Sequence, residues 1–484
     1  MRIAHIAPLT ESVPPRGYGG IERMVAYLID EMVRQGHQVT LFASGESQTL
    51  AELVPCCPQP LGYDPRIKNT IPFYASMLHA IERRAQDFDI IHLHFDFLHF
   101  LALQHISVPM LTTLHGWPYL LDLLPFRSAC LNQPLVSISL EQRRLLPFLP
   151  WIANIYHGLP LDLYPFNPKP SGDYLAFLGR ICPEKGLHHA IKIAQLAGMK
   201  LRVAGIVKKE DKHYFDHHVA PLMDDPLIEF VGEIGDQEKG NFLGEARALI
   251  FPIQWPEPFG LVMIEAMACG TPVIAFPAGS VREVVEHGVT GFISENVAQA
   301  ADAVQQLYQL DRTTIRERFE TQFSVQRMVH DYLSVYEAQI DARRKKAGSS
   351  RSLKDCSPDR MPCQSEKATV HGMCGHYENP QYPSDLPVTS RAMAWFQMEV
   401  RSGYLYAADR AKNWPVGTRM VFICGAPLIP VVRFYRILKQ LYSAGAFGKL
   451  SARDMFFAPV GLMVSALGEM AGYVKRRGAR WRQK

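Results

Sequence analysis

Several features that would assign a protein class at once are missing from this chain of 484 residues. The formal net charge is only +4, which does not suggest a nucleic-acid binder. The opening residues MRIAHIAPL lack the pattern of a signal peptide, and the nine cysteines are scattered and odd in number. We therefore expect a reducing, cytoplasmic location. Hydrophobic residues make up 48% of the chain, which is enough to form the cores of two or three domains.

The sequence also has no hydrophobic run of membrane-spanning length that is free of proline and charged residues. The two most apolar segments are 420–432 and 455–474, and the second contains Pro459 and Glu469, which weaken it as a span. Six basic residues and no acidic residue follow in the last ten positions. The segment 420–484 therefore predicts either peripheral contact with anionic lipid at the inner face of the cytoplasmic membrane, or a helical hairpin buried against the core.

The first 340 residues alternate short apolar runs with amphipathic segments, the pattern of parallel sheets covered by helices. The pattern restarts after a turn at 156–160, which predicts two Rossmann-like domains, 1–160 and 161–345, with a cleft between them. A helix near 325–345 would close the second domain. Residues 346–390 are rich in serine, proline and charge and predict a linker, and 391–484 predict a helical extension. The apolar runs predicted as strands are RIAHIAP, QVTLFAS, DIIHLHF, PMLTTLHG, PLVSIS, YLAFLGR, KLRVAGI, IEFVGE, ALIFPI, PVIAF and TGFIS.

The most informative segment is PEPFGLVMIEAMACGTPVIAF, which begins at Pro256. A proline-rich loop carries Glu257 and ends in Phe259-Gly260, and the composition from Leu261 to Ala268 predicts a helix that carries Glu265. Free amides and the positive end of a helix dipole bind anions. A carboxylate on each side of that junction suits the hydroxyl groups of a sugar and a ribose.

Three further motifs follow predicted strands. Gly179-Arg180-Ile181-Cys182-Pro183-Glu184-Lys185-Gly186 offers two cations for phosphate groups. Gly19 and Gly20 stand at the N-terminus of the first predicted helix, 20–35, where a backbone can approach a ligand closely. His115 stands at the carboxyl end of a strand, where sheets of this type bind their ligands. His92 and His94 alternate on one strand and are interpreted as packing residues.

Together these motifs resemble the retaining family 4 glycosyltransferases, whose fold is GT-B. The resemblance implies an α/β protein with two Rossmann-like domains facing across a cleft and a C-terminal helix that crosses back onto the first domain. It also implies front-face attack on a nucleotide-diphosphate sugar, in which the leaving phosphate takes the acceptor proton. No metal or other cofactor is expected, because cationic side chains and amides carry the phosphate charge. A UDP-sugar is the expected donor, and a hydroxyl of a glycan, lipid or small molecule is the expected acceptor.

The resemblance also implies residue roles. Glu257 would contact the transferred sugar and Glu265 the ribose, His115 would lie beside the sugar, and Val231 would flank the nucleobase. Arg180 and Lys185 would contact the phosphates. The implied catalytic residues are Glu257, His115, Arg180 and Lys185; the implied donor-binding residues are Gly19, Gly20, Arg180, Lys185, Val231, Glu257, Phe259, Gly260, Leu261, Val262 and Glu265.

Alternatives stay open at this point. A GT-B isomerase or phosphorylase shares part of these motifs, and a non-catalytic scaffold would need the motif residues to be lost. A Rossmann oxidoreductase is disfavoured because PPRGYGG is not Gly-x-Gly-x-x-Gly. The pieces YAADRAKNWP and GAPLIPVVRFYRIL weakly resemble the C-terminal ends of family 2 glycosyltransferases. Acceptor choice is expected in 45–75 and 117–133, and a zinc site is one interpretation of Cys356, Cys363, His371, Cys374 and His376.

Overall fold

A seven-stranded parallel sheet forms the centre of the first domain. This computed structural model describes residues 1–17, 19–95, 98–117, 133–147 and 149–352. The strand order is β3-β2-β1-β4-β5-β6-β7. The strands are β1 Arg2–Ile6, β2 Gln38–Ser44, β3 Glu52–Cys57, β4 Ile90–Leu93, β5 Met110–Leu114, β6 Leu135–Ser137 and β7 Trp151–Asn154.

Helices cover this sheet because one face of each is apolar. In α1, Gly20–Arg34, the side chains of Val25, Leu28 and Ile29 are buried and pack into the same core as strands β1 and β2. Among the described residues of this domain, the other helices are α2 Ile71–Arg84, α3 Leu98–Ala102 and α4 Leu140–Leu145, with short 3-10 turns at Leu61–Tyr63 and Ala85–Asp87.

The second domain repeats the arrangement with six parallel strands in the order β10-β9-β8-β11-β12-β13. The strands are β8 Tyr174–Leu178, β9 Lys200–Ala204, β10 Ile228–Gly232, β11 Ala248–Phe251, β12 Val273–Ala275 and β13 Gly291–Ile293. The helices are α5 Leu187–Ala197, α6 Lys212–Tyr214, α7 Asp236–Gly244, α8 Leu261–Ala268, α9 Val281–Val284, α10 Val297–Val304 and α11 Arg312–Gln322. A π-helical turn lies at Phe215–Val219.

The strand order shows where a ligand belongs in each sheet. The direction of winding reverses between β1 and β4 in the first sheet, and between β8 and β11 in the second. Ligands of such sheets bind at these reversal points, outside the carboxyl ends of the strands. The loops that follow β1, β8 and β11 contain the predicted glycine loop, the Arg180–Lys185 motif and the Glu257 motif. The topology therefore brings all three motifs to ligand-binding edges.

The last described helix, α12 Val325–Ser352, returns to the first domain. Leu159 N donates to Phe323 O at 2.8 Å, and Val325 N donates to Leu159 O at 2.9 Å, which fixes the crossing point. Met328, Tyr332 and Tyr336 then pack in the core of the first sheet. The helix begins at the predicted position, and the crossing agrees with the resemblance.

Two strands escaped the sequence analysis, and both lie at the edges of the first sheet. β3 falls in the stretch treated as a loop, is only partly buried and contains Pro55, while β7 has four half-exposed or exposed residues. Edge strands tolerate proline and lack a strong apolar pattern. The domain boundaries stay predictions. The first residues of the predicted linker 346–390, up to Ser352, continue helix α12. The rest of that linker, the helical extension, the family 2 resemblance, the zinc ligands and the membrane segment lie outside the described residues. No helix in the described part of the chain has the length and hydropathy to cross a bilayer.

Candidate active site

A cavity of about 1130 Å³ lies between the two sheets and is lined by both domains. The first domain contributes the loop after β1, the start of α1, and His115 after β5. The second domain contributes the loops after β8 and β11 and the start of α8. The predicted site residues that line it are Gly19, Gly20, His115, Arg180, Lys185, Glu257, Phe259, Gly260, Leu261, Val262 and Glu265.

A glycine makes the turn from the Glu257 loop into α8. Gly260 has φ +80°, and a Cβ there would lie 2.7 Å from Met263 Cε, so a side chain would be both strained and crowded. The buried ring of Phe259 anchors the loop beside it. The start of α8 therefore faces the cavity with a side-chain-free turn and the unpaired amides of a helix N-terminus.

Lys185 and Glu257 form an ion pair inside the cavity. Lys185 Nζ lies 2.6 Å from Glu257 Oε2, and both side chains are mostly shielded from solvent. The lysine ends the 3-10 turn Pro183–Lys185, while the glutamate is in the loop after β11, 72 positions further along the chain. The two motifs that were recognised separately in the sequence thus meet, and they place one positive and one negative charge beside the start of α8.

Arg180 is held by a buried carboxylate. Its Nε lies 2.7 Å from Asp211 Oδ2 and its outer nitrogen lies 3.2 Å from Asp211 Oδ1, a two-point contact that fixes the guanidinium plane. Burial works against the charge, but the hydrogen bonds that Arg180 donates to Asp211 leave the pKa of Arg180 raised. Asp211 was not predicted, since it comes 31 positions after the arginine. The pair fixes a cation at the edge of the cavity.

Glu265 belongs to a charged network that joins the two domains. Its Oε1 accepts from Lys239 Nζ at 3.0 Å and from the Tyr164 hydroxyl at 3.4 Å. Lys239 also lies 3.3 Å from Asp236 Oδ1, and Asp236 pairs with Arg23 of the first domain. None of these partners was predicted from the sequence, although Arg23 comes three positions after Gly20.

The first domain lines the cavity with charged side chains of both signs, Glu11 and Glu22 beside Arg16 and Arg23. Glu22 on α1 is buried, and burial raises its pKa. The Tyr63 hydroxyl donates a hydrogen bond to the Glu11 carboxylate, which raises the pKa of Tyr63 to about 12. Gly19 approaches Pro15 so closely that a Cβ would lie 2.6 Å from the proline Cβ. The glycine loop is therefore packed tightly here, and Glu11 and Glu22 were not predicted as site residues.

Comparison with known proteins assigns the family. The chain matches the model of glycosyl transferases group 1 over residues 165–322 and the model of Glycosyltransferase Family 4 over residues 18–158. The chain belongs to these glycosyltransferases. Among curated relatives, a phosphatidyl-myo-inositol mannosyltransferase of Mycobacterium leprae is 26% identical over 66% of this chain and 90% of that protein. A glycogen synthase of Mycobacterium tuberculosis is 26% identical over 72% of this chain and 98% of that protein.

Solved structures confirm the GT-B fold of this glycosyltransferase. Sucrose-phosphate synthase from Thermosynechococcus elongatus aligns with a TM-score of 0.59 at 19% identity, over 71% of this chain and 100% of that one. Anabaena HepE in complex with UDP and glucose aligns with a TM-score of 0.56 at 19% identity, over 70% of this chain and 100% of that one. At these identities the likeness shows the fold alone, which is two Rossmann-like domains facing across a cleft.

Val231 does not line the cavity of this glycosyltransferase. The register of β10 against β9 shifts between Phe230 and Gly232, and Gly232 has φ +91°. Val231 lines a separate depression with Tyr174 and Arg202. The local irregularity of the strand therefore directs this side chain elsewhere, and the cavity wall after β10 is formed by Glu233, Ile234 and Gly235.

His115 is the site residue with the most unusual surroundings. Burial lowers its pKa to about 3, so the imidazole is neutral at physiological pH. His157 stacks on it with ring centroids 5.3 Å apart, and His157 in turn contacts the Phe259 ring edge-on at 4.9 Å. A neutral ring in this position can exchange hydrogen bonds with a sugar hydroxyl without adding charge to the cavity.

Proposed function

We propose that this glycosyltransferase moves a sugar, with retention of anomeric configuration, from a nucleotide-diphosphate sugar to an acceptor hydroxyl without a bound metal. The observation that supports this most directly is the meeting of Lys185, Glu257 and the side-chain-free turn at Gly260, opposite His115 in one cavity. A site that binds a phosphorylated sugar needs a cation, a carboxylate, free amides and a neutral imidazole.

The leaving diphosphate is proposed to bind between Arg180, Lys185 and the start of α8. The two cations and the helix N-terminus supply the positive charge that a divalent ion would otherwise provide. Arg180 is oriented by Asp211, so its guanidinium is already fixed before the phosphates arrive. The site thus has a means of stabilising the departing charge with protein groups alone.

Glu257 is proposed to orient the transferred sugar rather than to attack it. Its Oε2 is bonded to Lys185 Nζ at 2.6 Å, which leaves the other oxygen to accept from sugar hydroxyls. In the proposed step, the acceptor hydroxyl attacks the anomeric carbon from the face that the diphosphate leaves. The bond between that carbon and the phosphate oxygen breaks, a glycosidic bond forms, and the phosphate oxygen takes the hydroxyl proton. The products are the glycoside and the nucleoside diphosphate.

A UDP-sugar is the proposed donor. HepE from Anabaena, which shares the fold, was solved with UDP-glucose and with UDP and glucose, which supports a uridine nucleotide here. The nucleoside end is proposed to extend towards Glu265, whose carboxylate is oriented by Lys239 and can accept from ribose hydroxyls. The acceptor is proposed to be a hydroxyl of a glycan, a lipid or a small molecule.

The test measures nucleoside diphosphate released from UDP-, GDP- and ADP-sugars in the presence of EDTA. The full chain is compared with the variants Arg180→Met and Glu257→Gln, with Arg282→Met as control, because Arg282 forms an exposed ion pair with Glu295. We expect one donor to turn over at a rate that EDTA does not change, with large losses in the two site variants alone. NMR of the new glycoside is expected to show the anomeric configuration of the donor.

Several outcomes would contradict the proposal. Inhibition by EDTA that added metal reverses would remove the metal-independent mechanism, and an inverted anomeric centre would remove retention. Formation of a sugar 1-phosphate from inorganic phosphate would indicate a phosphorylase. Equal losses in Arg282→Met would show that the effect is unspecific.

Membrane contact through 420–484 stays a prediction. Flotation of the full chain with anionic liposomes at low salt, compared with the variant carrying Arg476→Gln, Arg477→Gln and Arg480→Gln, measures it. We expect weaker flotation of the variant, since each basic residue near an anionic surface contributes about 1 kcal/mol. Equal flotation would remove the prediction.

A further inference from the structure

A chain of three imidazoles runs from the cavity into the core of the first domain. His115 Nε2 lies 2.9 Å from His94 Nδ1, and His94 Nε2 lies 2.9 Å from His5 Nδ1. His5 is on β1, His94 directly follows β4, and His115 directly follows β5. These three strands are neighbours in the sheet, so the topology aligns the rings at one edge. His94 was interpreted from the sequence as a packing residue, with a place lining the acceptor side as the alternative.

The chain is neutral. His5 and His94 are almost completely buried, and burial lowers the pKa of His5, as it does that of His115, to about 3. The pKa of His94 is lowered too, first by burial and then by the neighbouring histidines. A neutral imidazole has one N–H and one bare nitrogen. In a chain of such rings every N–H must point the same way, so the three tautomers are not independent.

The two ends of the chain decide its direction. Within the described part of the protein, His115 Nδ1 and His5 Nε2 have no hydrogen-bond partner, and one of them must carry a proton. A buried N–H without an acceptor is rarer in proteins than an acceptor without a donor. Both nitrogens are buried in the unliganded protein, but His5 is enclosed in the core whereas the ring of His115 borders the cavity, so only at the His115 end can a ligand oxygen supply the missing acceptor. The N–H therefore belongs at the His115 end.

We infer that His94 and His5 are positioning residues that hold His115 in the tautomer protonated on Nδ1, so that His115 is a hydrogen-bond donor to the substrate. His5 donates to His94, and His94 donates to His115 Nε2. The role towards substrate rests on the proposed function, because a donor at this place suits an oxygen of the sugar or of the leaving phosphate. No proton leaves the chain in this role, and no bond to carbon is formed.

The same nitrogens could be considered as metal ligands, and the hydrogen bonds argue against it. His5, His92 and His94 offer ligand atoms within 4.8 Å of one another. Both nitrogens of His92, however, already lie 2.7 Å from hydroxyl oxygens, of Tyr336 and Thr113. A cation would have to break these two contacts of His92 and the hydrogen bond between His5 and His94. Metal analysis is therefore one of the outcomes below.

The test uses two variants of similar shape, His94→Asn and His94→Leu. The asparagine amide can take the place of His94 Nδ1 and donate to His115 Nε2, whereas leucine cannot. Nitrogen-15 NMR of the histidine-labelled full chain reports which nitrogen of each ring is protonated, and His115→Gln identifies the signals of His115. We expect Nδ1 of His115 to be protonated in the wild type and in His94→Asn, and a mixture of tautomers in His94→Leu.

The activity readout is donor hydrolysis. We expect His94→Leu to lower kcat about tenfold with little change in the donor KM, the size of one lost hydrogen bond, and His94→Asn to restore most of the rate. Thermal melting checks that both variants are folded. If His94→Leu is not, His5→Leu, which removes the donor at the far end, is expected to produce the same mixture of tautomers.

Three results would overturn the inference. These are a wild-type His115 protonated on Nε2, identical His115 spectra in the asparagine and leucine variants, or a stoichiometric metal ion that is retained on dialysis and lost in His5→Leu. The NMR readout does not depend on catalysis. A protein that hydrolyses no donor but shows the expected tautomers would therefore contradict the proposed function and leave the positioning chain intact.

Discussion

Gly279→Ala is expected to disable the cavity without unfolding the protein. Gly279 has φ +62°, and a Cβ there would lie 2.2 Å from Glu257 O and 2.3 Å from Glu257 N. Ordinary contacts of a Cβ begin near 3.4 Å, so the Glu257 backbone must move. The displacement needed is about 1 Å, and a shift of that size in a positioned catalytic group costs about 100-fold in rate. The left-handed backbone adds about 1–2 kcal/mol of strain for alanine.

Gly198→Ala is the matched control. Gly198 has nearly the same backbone, with φ +64°, but a Cβ there meets nothing within 4 Å. We expect the control to lose about 1–2 kcal/mol of stability in urea denaturation and to keep its full rate of donor hydrolysis. Equal activity of the two variants would refute the argument that Gly279 fixes the Glu257 loop. Equal loss of activity would show that strain at any left-handed glycine is sufficient.

Three further changes are expected to have distinct effects. Lys185→Met leaves Glu257 without its ion pair and removes the proposed phosphate contact, so donor hydrolysis should fall about 10²–10³-fold. Arg312→Met removes donors to four backbone carbonyls and to a threonine hydroxyl, so the free energy of unfolding in urea should fall by about 3–5 kcal/mol. His99→Gln should flatten the loss of stability in acid. Burial lowers the pKa of His99 from 6.5 to about 3, so between these values the unfolded chain binds a proton that the folded chain does not. Stability is therefore lost as the pH falls through this window, and the variant should reduce the slope by about 1.4 kcal/mol per pH unit.

Each of these three predictions has a control variant or a result that would contradict it. Lys192→Met, on the exposed side of α5, should hydrolyse donor normally, and a similar loss there would count against a specific role for Lys185. Arg318→Met, at an exposed ion pair, should leave urea stability within about 0.5 kcal/mol. An unchanged acid slope in His99→Gln would mean that this ring is already protonated in the folded protein.

Much of the fold was predictable because its signals are local. The strand over Gln38–Ser44 and the helix over Leu261–Ala268 were expected within their observed bounds, since continuous apolar runs and helix-forming composition extend over consecutive residues. The edge strands β3 and β7 carried no such signal. Their half-exposed side chains contribute little to a core, and their pairing depends on a neighbour elsewhere in the chain.

The candidate site was predictable only motif by motif. Arg180 and Glu265 were chosen from their sequence surroundings, but their partners Asp211 and Lys239 are 31 and 26 positions away, and no local pattern connects them. The histidine chain escaped for the same reason, because it requires the spatial order of β1, β4 and β5 rather than their order in sequence. Val231 lies outside the cavity because the register of β10 shifts at its end, which cannot be inferred from the apolar composition of the strand.

The return of α12 has a consequence for how the chain is made. The core that surrounds the sheet of the first domain is completed by Tyr332 and Tyr336, which hydrogen-bond Thr113 and His92 in its interior. During synthesis, the first 160 residues leave the ribosome long before these tyrosines exist. The core of the first domain therefore stays incompletely packed until the second domain and α12 have been translated. If domains were exchanged between related proteins, α12 would therefore have to be transferred together with the first domain, because it completes the core of that domain.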